Sequence, residues 1–327
     1  MDMKKVAFGN SDLEVSKIGL GLAALGRPGY INLGHSQDLA EDYAIKKMEK
    51  VTHQMLDQSI RLGINYFDVA RSYGKGEEFF SSWYGRENEK VVVGSKWGYY
   101  YTAQWQVKAD QHEVKEHSVE LLAQQWPKSL ALLSSNLRIY HIHSATFESG
   151  VLDNHQVLES LEEIRQKGII IGLSLSGKSQ SEVLEKALDI RVGDKPLFGS
   201  VQATYNILEQ SAAPTLRRAY DNGLGVIIKE SVANGRLTSR NTRAPYYQPL
   251  KTMASNYETT IDALAMAFVL SQPFVTTVLS GASTLQQLNS NAKATSVSLA
   301  KSDLEIIKGM AMDTGNYWQE RSDLTWN

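Results

Sequence analysis

Eight short runs of β-branched and aliphatic residues, separated by longer stretches with helical apolar spacing, constrain this chain more than any other feature. The runs cover residues 18–23, 65–70, 91–97, 139–143, 169–176, 200–205, 225–230 and 276–281. Between them, apolar residues recur every three or four positions, as at Met48, Val51, Met55, Ile60 and Leu62, or at Val157, Leu158, Leu161 and Ile164. That period buries one face of a helix. Gly63, Gly168 and Gly223 stand before later runs, where a helix ends in a left-handed residue. Strands separated by helices pair in parallel. Eight such units predict an α/β chain folded as one (β/α)8 TIM barrel over residues 1–327. An open doubly wound sheet is the alternative, but no G-x-G-x-x-G follows an early run.

Residues 1–15 read as a hairpin around Gly9 and Asn10 that would plug one end of the barrel. Residues 285–308 hold the helix after the eighth strand and an extra helix, and 316–327 form an aromatic tail. Connections 26–44 and 237–256 are long for plain loops, which predicts a lid or binding role, and 193–196 is a local turn.

Composition narrows the partners. Lys+Arg total 34 against 36 Asp+Glu, so no basic field exists to attract nucleic acid. With no cysteine, disulfides, zinc-thiolate sites and a thiol nucleophile are excluded. No run approaches the ~18 apolar residues of a membrane span. The opening residues carry two lysines but no apolar segment, so a cytoplasmic location is expected. Oligomeric state is not encoded in any pattern here.

Barrels of this kind carry their active sites at the C-terminal ends of the strands. Four titratable residues fall there on three consecutive runs: Asp68 near the end of the second with Tyr73 in the loop that follows, Lys96 on the third, His143 on the fourth. Singly, each has an ordinary reading as cap, loop packing, strand exit or structural histidine. Together they make a coherent set for carbonyl reduction, which needs a proton delivered to a developing alkoxide. A tyrosine is a weak acid, with an ordinary pKa of about 10. A Lys96 ammonium, held by Asp68, is expected to stabilise the tyrosinate and lower that value. His143 would donate a hydrogen bond to the carbonyl oxygen. A cofactor would supply the hydride, so no metal is expected.

Here the sequence resembles a known family. Tyr66-Phe-Asp-Val-Ala-Arg-Ser-Tyr-Gly74, Gly94-Ser-Lys96 and Ile139-Tyr-His-Ile-His143 look like the catalytic tetrad motifs of the aldo-keto reductases. Ile18-Gly-Leu-Gly21, Gly168-Ile-Ile-Ile-Gly-Leu-Ser174, Val201-Gln-Ala-Thr-Tyr-Asn206 and Leu279-Ser-Gly-Ala-Ser283 extend the resemblance over nearly the whole chain. It implies Tyr73 as acid/base, supported by Asp68, Lys96 and His143. It further implies Ser174 and Gln202 on the nicotinamide carboxamide, Ser280, Gly281 and Ser283 at the cofactor phosphates, and Gln287 and Asn291 at the adenosine. Arg236 is expected to reach the pyrophosphate.

Two departures stand out. Leu175 occupies the family's usual asparagine position, shifting a carboxamide contact to Ser176. Lys229 stands where the family commonly stacks an aromatic on the nicotinamide, and a cation there would disfavour the oxidised ring; pairing with Glu230 or a phosphate is the plainer alternative. The family's cationic 2′-phosphate positions hold Gly281 and Gln287, yet Ser283 and Gln287 can both donate to a phosphate. NADP(H) is therefore expected, with NAD(H) open. Trp97, Tyr99, Tyr100, Tyr101 and Trp105, with Tyr317, Trp318 and Trp326 of the tail, are candidates for an aromatic pocket holding an aldehyde, ketone or sugar; packing of a long loop is the alternative. Rival readings are a metallohydrolase built on the His141/His143 pair, a Schiff-base aldolase using Lys96 or Lys229, and a cofactor-binding sensor without catalysis. All seven histidines lie in the first half of the chain, which starves a metal site of later-strand imidazoles.

Overall fold

The structure is a computed structural model that describes residues 3–83 and 91–327. In chain order its strands are β1 (Lys5–Ala7), β2 (Glu14–Ser16), β3 (Ile18–Gly21), β4 (Tyr66–Asp68), β5 (Val92–Trp97), β6 (Tyr99–Tyr101), β7 (Glu113–Lys115), β8 (Leu137–Ala145), β9 (Ile170–Leu175), β10 (Arg191–Val192), β11 (Lys195–Pro196), β12 (Ser200–Thr204), β13 (Gly225–Lys229) and β14 (Thr277–Ser280). Eight of them, in the order β3-β4-β5-β8-β9-β12-β13-β14, close on themselves as a barrel in which every neighbour is parallel. They are the eight apolar runs, trimmed by a residue or two at most ends. The exception is β8, which begins at Leu137 because Arg138 and the flanking apolar residues continue the pleat.

Each barrel strand is followed by a helix. Ile45–Arg61 buries Met48, Met55 and Leu56 on one face, and His155–Arg165 buries Val157, Leu158, Leu161 and Ile164. The second begins where the Asn154 side chain accepts from the Val157 N–H, satisfying one of the orphan donors of a helix start. The glycines expected to end helices do so at positive φ, 80° at Gly63, 87° at Gly168 and 82° at Gly223. Connection 237–256 is only half loop, since Tyr247–Asn256 is helical. Residues 285–308 supply the helices Leu285–Ala292 and Lys301–Lys308, and the tail forms a further helix, Thr314–Ser322. The turn at 193–196 joins the small β10–β11 hairpin.

Side chains alternate across the pleat, so each barrel strand sends one set of residues inward and the other toward the helices. At the N-terminal end the inward set is closed off by the β1–β2 hairpin; its first two residues, Met1 and Asp2, lie outside the described segment. Phe8 is fully buried in a cluster with Tyr66, Val92, Ile139, Ile227 and Leu279. Gly225 has to be glycine at this seam, because a Cβ there would run into the Phe8 ring. The Asn10 N–H donates to the Gly223 carbonyl at 2.9 Å and pins the hairpin turn. With that end plugged, the C-terminal mouth is the open one among the described residues. Phe8→Ala should therefore cost about 3–5 kcal/mol in urea unfolding; a loss below about 1 kcal/mol would contradict the plug as part of the core.

Candidate active site

The C-terminal mouth opens into a cavity of about 700 Å³ whose lining comes from every barrel strand but β5. Its floor is charged. Asp68 ends β4, and Lys96 lies on the neighbouring strand β5, where Asp68 pairs with Gly94. Both side chains point inward, 2% and 0% exposed. The Lys96 Nζ donates to the Asp68 Oδ2 at 2.6 Å, to the Val69 carbonyl at 3.0 Å and to the Tyr73 hydroxyl at 3.2 Å. Three acceptors match the three donors of an ammonium. The second Asp68 oxygen accepts from the Gln202 Nε2 at 2.7 Å, across the barrel from β12.

Tyr73 reaches this floor from a tight turn after β4. Its N–H donates to the Ala70 carbonyl, and Gly74 follows at φ 58°. Gly26, from the loop after β3, packs so closely on the turn that a Cβ would strike the Tyr73 carbonyl. The Tyr73 ring lies edge-on to His143, with centroids 5.6 Å apart. His143, on β8, is backed by Tyr99 at 4.9 Å, and its Nδ1 lies 3.4 Å from the Ser72 hydroxyl. The four residues read from three consecutive strands thus converge.

Their protonation differs from expectation at one point. Burial, followed by the Asp68 carboxylate, pushes the Tyr73 phenol well above its ordinary value, although the nearby Arg27 opposes the rise. Desolvation and the local carboxylate outweigh the stabilisation expected from Lys96. The group is a neutral phenol whose oxygen accepts from Lys96, leaving its own proton for the cavity. Burial also pulls Lys96 down, with Asp68 opposing. His143 is held well below the usual imidazole range by burial and then by Lys96, so it is neutral and retains one N–H to donate.

Lys229 ends β13, where its Nζ donates to the Ser176 and Thr204 hydroxyls at 3.1 and 3.0 Å and stands 3.8 Å from Glu230. Burial lowers it to about 8, against the pull of Glu230. Glu230, at a left-handed φ of 56°, is gripped by Arg321 of the tail helix through contacts of 3.0 and 2.6 Å. Burial raises this carboxyl, but Arg321 and Lys229 together hold it at about 2. Sequence reasoning missed this ion pair, as it missed Arg27. That guanidinium is buried against Glu113 at 2.9 Å and lies over the rings of Tyr30, Tyr73 and Trp326 at 4.8–5.3 Å.

The expected cofactor residues are distributed unevenly. Ser174, Ser176, Gln202, Lys229, Ser280, Gly281, Gln287 and Asn291 line the cavity. The Ser174 hydroxyl accepts from the Ser144 N–H at 2.8 Å, and the Ser280 hydroxyl from Asn291 at 2.8 Å. Ser283 lies just behind, its N–H bonded to the Gln287 side chain. Arg236 departs from expectation. It is 5% exposed, bonded to Glu320 at 3.1 Å and stacked on Tyr317 at 4.3 Å, so it anchors the tail helix and not the cavity wall. Leu175 points into the core and leaves Ser176 on the wall.

The aromatic pocket is also smaller than expected. Trp97 is fully buried outside the barrel, Trp105 donates to the Tyr43 carbonyl, and Tyr317 packs under Asn206; of the aromatics named from the sequence, Trp326 alone joins Tyr73 and Tyr30 on the cavity wall. The His141 Nε2 faces the Ser200 hydroxyl at 2.9 Å inside the barrel. Among the described residues, no three His, Asp or Glu side chains are grouped to share a metal ion. Nor is any described helix long and apolar enough to cross a membrane.

The mouth of the closed (β/α)8 barrel thus brings together a buried Tyr, Lys, Asp and His. The chain belongs to the aldo/keto reductase family, whose model matches residues 17–311. It is 24% identical to the NADH-specific methylglyoxal reductase of Escherichia coli K12, over 94% of this chain and 98% of that protein. It is equally 24% identical to the uncharacterised oxidoreductase YqkF of Bacillus subtilis, over 89% and 91% of the two chains. The holo form of aldo-keto reductase AKR11C1 from Bacillus halodurans superimposes with a TM-score of 0.70 at 21% identity, covering 95% of this chain and 98% of that one.

The Glu230–Arg321 pair gives a pH-dependent expectation. Wild-type Glu230 titrates below its unfolded value, so its contribution is complete above about pH 4.5 and fades as pH falls toward 2. In Arg321→Met the buried carboxylate loses its main partner. The variant should lose on the order of 3 kcal/mol at pH 7, the low end for a buried pair because Arg321 is a quarter exposed. That deficit should shrink in urea titrations near pH 4, where Glu230 can protonate; a pH-independent deficit would contradict the pairing.

Proposed function

We propose that this protein transfers hydride between a nicotinamide dinucleotide and a small polar carbonyl compound, with Tyr73 as general acid/base. The carrying observation is the Lys96 ammonium that donates to both Asp68 and the Tyr73 hydroxyl at the buried floor of the cavity. A neutral Tyr73 phenol gives its proton to the carbonyl oxygen as negative charge develops there. Lys96 stabilises the phenolate so formed, and Asp68 keeps the ammonium in place. His143 donates its N–H to the same carbonyl oxygen and fixes the substrate's orientation.

The bound cofactor supplies the hydride. The residues present fit such a group. The cavity reaches from Tyr73 to Asn291, and its wall is rich in serine, asparagine and glutamine. Ser174 retains a hydroxyl proton for the carboxamide, and Gln202, bonded to Asp68 through its amide nitrogen, retains its carbonyl oxygen. Gly281 leaves the approach to a phosphate clear, with no atom nearer than 3.9 Å to where a Cβ would be. Ser280, Ser283, Gln287 and Asn291 would hold the remainder. A Lys229 cation beside a bound nicotinamide would disfavour its oxidised, positively charged form relative to the reduced one.

Arg27, Glu113, Lys229, Glu230 and Arg321 line the same cavity as Tyr73, with Tyr30 and Trp326 as the apolar surfaces. This mixture supports a hydroxylated aldehyde, ketone or sugar over an alkyl aldehyde. The reading includes a cytoplasmic location. Ser283 and Gln287 suit NADP(H), while the E. coli relative is named for NADH; the choice turns on the nucleotide end of the cavity.

The test is Tyr73→Phe against wild type on a panel of carbonyl and sugar substrates. Turnover should fall by about 10²–10⁴, with cofactor affinity by fluorescence titration within about threefold. Undiminished turnover would refute the mechanism, and no turnover in the wild type on any substrate would favour a cofactor-binding sensor.

A further inference from the structure

The geometry points to Asp38 as a selector for the unphosphorylated cofactor, NAD(H), over NADP(H). The inference rests on the nicotinamide reading above and concerns the opposite end of the cavity. Asp38 closes a one-turn helix, His35–Asp38, inside the long connection after β3. Its carboxylate is 9% exposed. The Oδ2 atom accepts from the Gln287 Nε2 at 2.9 Å and from the Ser283 hydroxyl at 3.3 Å. Arg240, from the loop after β13, grips both carboxylate oxygens, one at 2.9 Å, and also donates to the Leu33 carbonyl. Three segments distant in sequence thus meet on one carboxylate. Asp38, Arg240 and Gln287 all face the cavity.

With the nicotinamide beside Tyr73, the rest of an extended dinucleotide lies along the cavity toward Gln287 and Asn291. A 2′-phosphate would bring a charge of about −1.5 to −2 and three strong acceptor oxygens. Donors placed to receive it there include Ser283, Gln287 and Arg240. All three already serve Asp38. The anion position is filled by the protein's own anion, and Asp262 adds a second carboxylate to the same end of the wall. A phosphate would have to displace a carboxylate from a bidentate guanidinium, or sit beside it as a like charge. A ribose hydroxyl meets the opposite situation. An ionised carboxylate offers about four lone-pair sites, and a 2′-hydroxyl can donate to one of them without disturbing the others. The same logic lets an acidic residue read the ribose in dinucleotide folds of other architecture.

The test is the dissociation constant of NADH and of NADPH, each titrated against intact wild type and Asp38→Asn by protein fluorescence and by calorimetry. Thermal unfolding verifies that the variant is folded. Wild type should bind NADH at least about tenfold more tightly, and Asp38→Asn, which keeps a similar shape but frees Arg240, should narrow that ratio by about tenfold or reverse it. Wild type binding NADPH as tightly as NADH, or a ratio unchanged in Asp38→Asn, would overturn the assignment of Asp38 while leaving the reductase reading intact. Binding of neither nucleotide by wild type would overturn both. Should Asp38→Asn fail to fold, Asp38→Ser takes its place, with the same narrowing expected and an unchanged ratio again overturning the assignment.

Discussion

The rest of this site depends on one buried ion pair, Lys96 with Asp68. Taking both charges out of water costs several kcal/mol per ion unless every donor and acceptor is met. Here the demand is met completely on the ammonium side, by Asp68, the Val69 carbonyl and Tyr73, and Gln202 serves the other carboxylate oxygen. The barrel makes this possible because β4 and β5 are neighbours and β12 faces them across the axis. The pair is therefore a poor contributor to stability but a strict positioning device. It fixes which Tyr73 lone pair is occupied and so where the phenolic proton is left.

Around that floor, charge is organised in pairs that each tie one loop to another. Arg27 with Glu113 joins the loop after β3 to β7; Glu230 with Arg321 joins the end of β13 to the tail helix; Asp38 with Arg240 joins the loop after β3 to the loop after β13. The tail is also stitched down by its backbone, Tyr30 and Asn327 exchanging N–H···O bonds of 3.1 and 3.0 Å, while Trp326 stacks on His112 at 3.8 Å. Lys229 is the exception. Its closest bonds are to two hydroxyls, and its charge is spread between them and a glutamate already claimed by Arg321.

The barrel and the tetrad were legible in the sequence because both follow from local rules. A β-branched run is short enough to be a strand, and a polar residue at its C-terminal end has one place to go in a parallel barrel. The same pleat shows where the reading failed. Lys96 points inward, so its neighbour Trp97 must point outward into the helices, and it cannot line the mouth. Arg236 looked like a free cation on a loop, but its partner Glu320 lies 84 residues away. Glu230 was named only as a partner for Lys229, and the pairings of Arg27, Glu230 and Asp38 with Glu113, Arg321 and Arg240 were invisible for the same reason. Their partners sit 86, 91 and 202 residues off, on β7, the tail helix and the loop after β13, where no periodicity marks a pairing. The Tyr73 shift was misjudged in sign because burial, which sequence does not give, outweighs the adjacent ammonium.

If Lys96 and Asp68 act as one device on Tyr73, their removal cannot be additive. The most direct measurement is a double-mutant cycle on kcat/KM with Lys96→Met, Asp68→Leu and the double variant, with cofactor affinity followed alongside. Either single change should abolish most of the proton-transfer advantage, and the double variant should be no slower than the worse single one, a coupling of at least about 1–3 kcal/mol. Losses that simply multiply, with the double variant as slow as the product of the two singles, would show that Lys96 and Asp68 act separately and would contradict this account of the site.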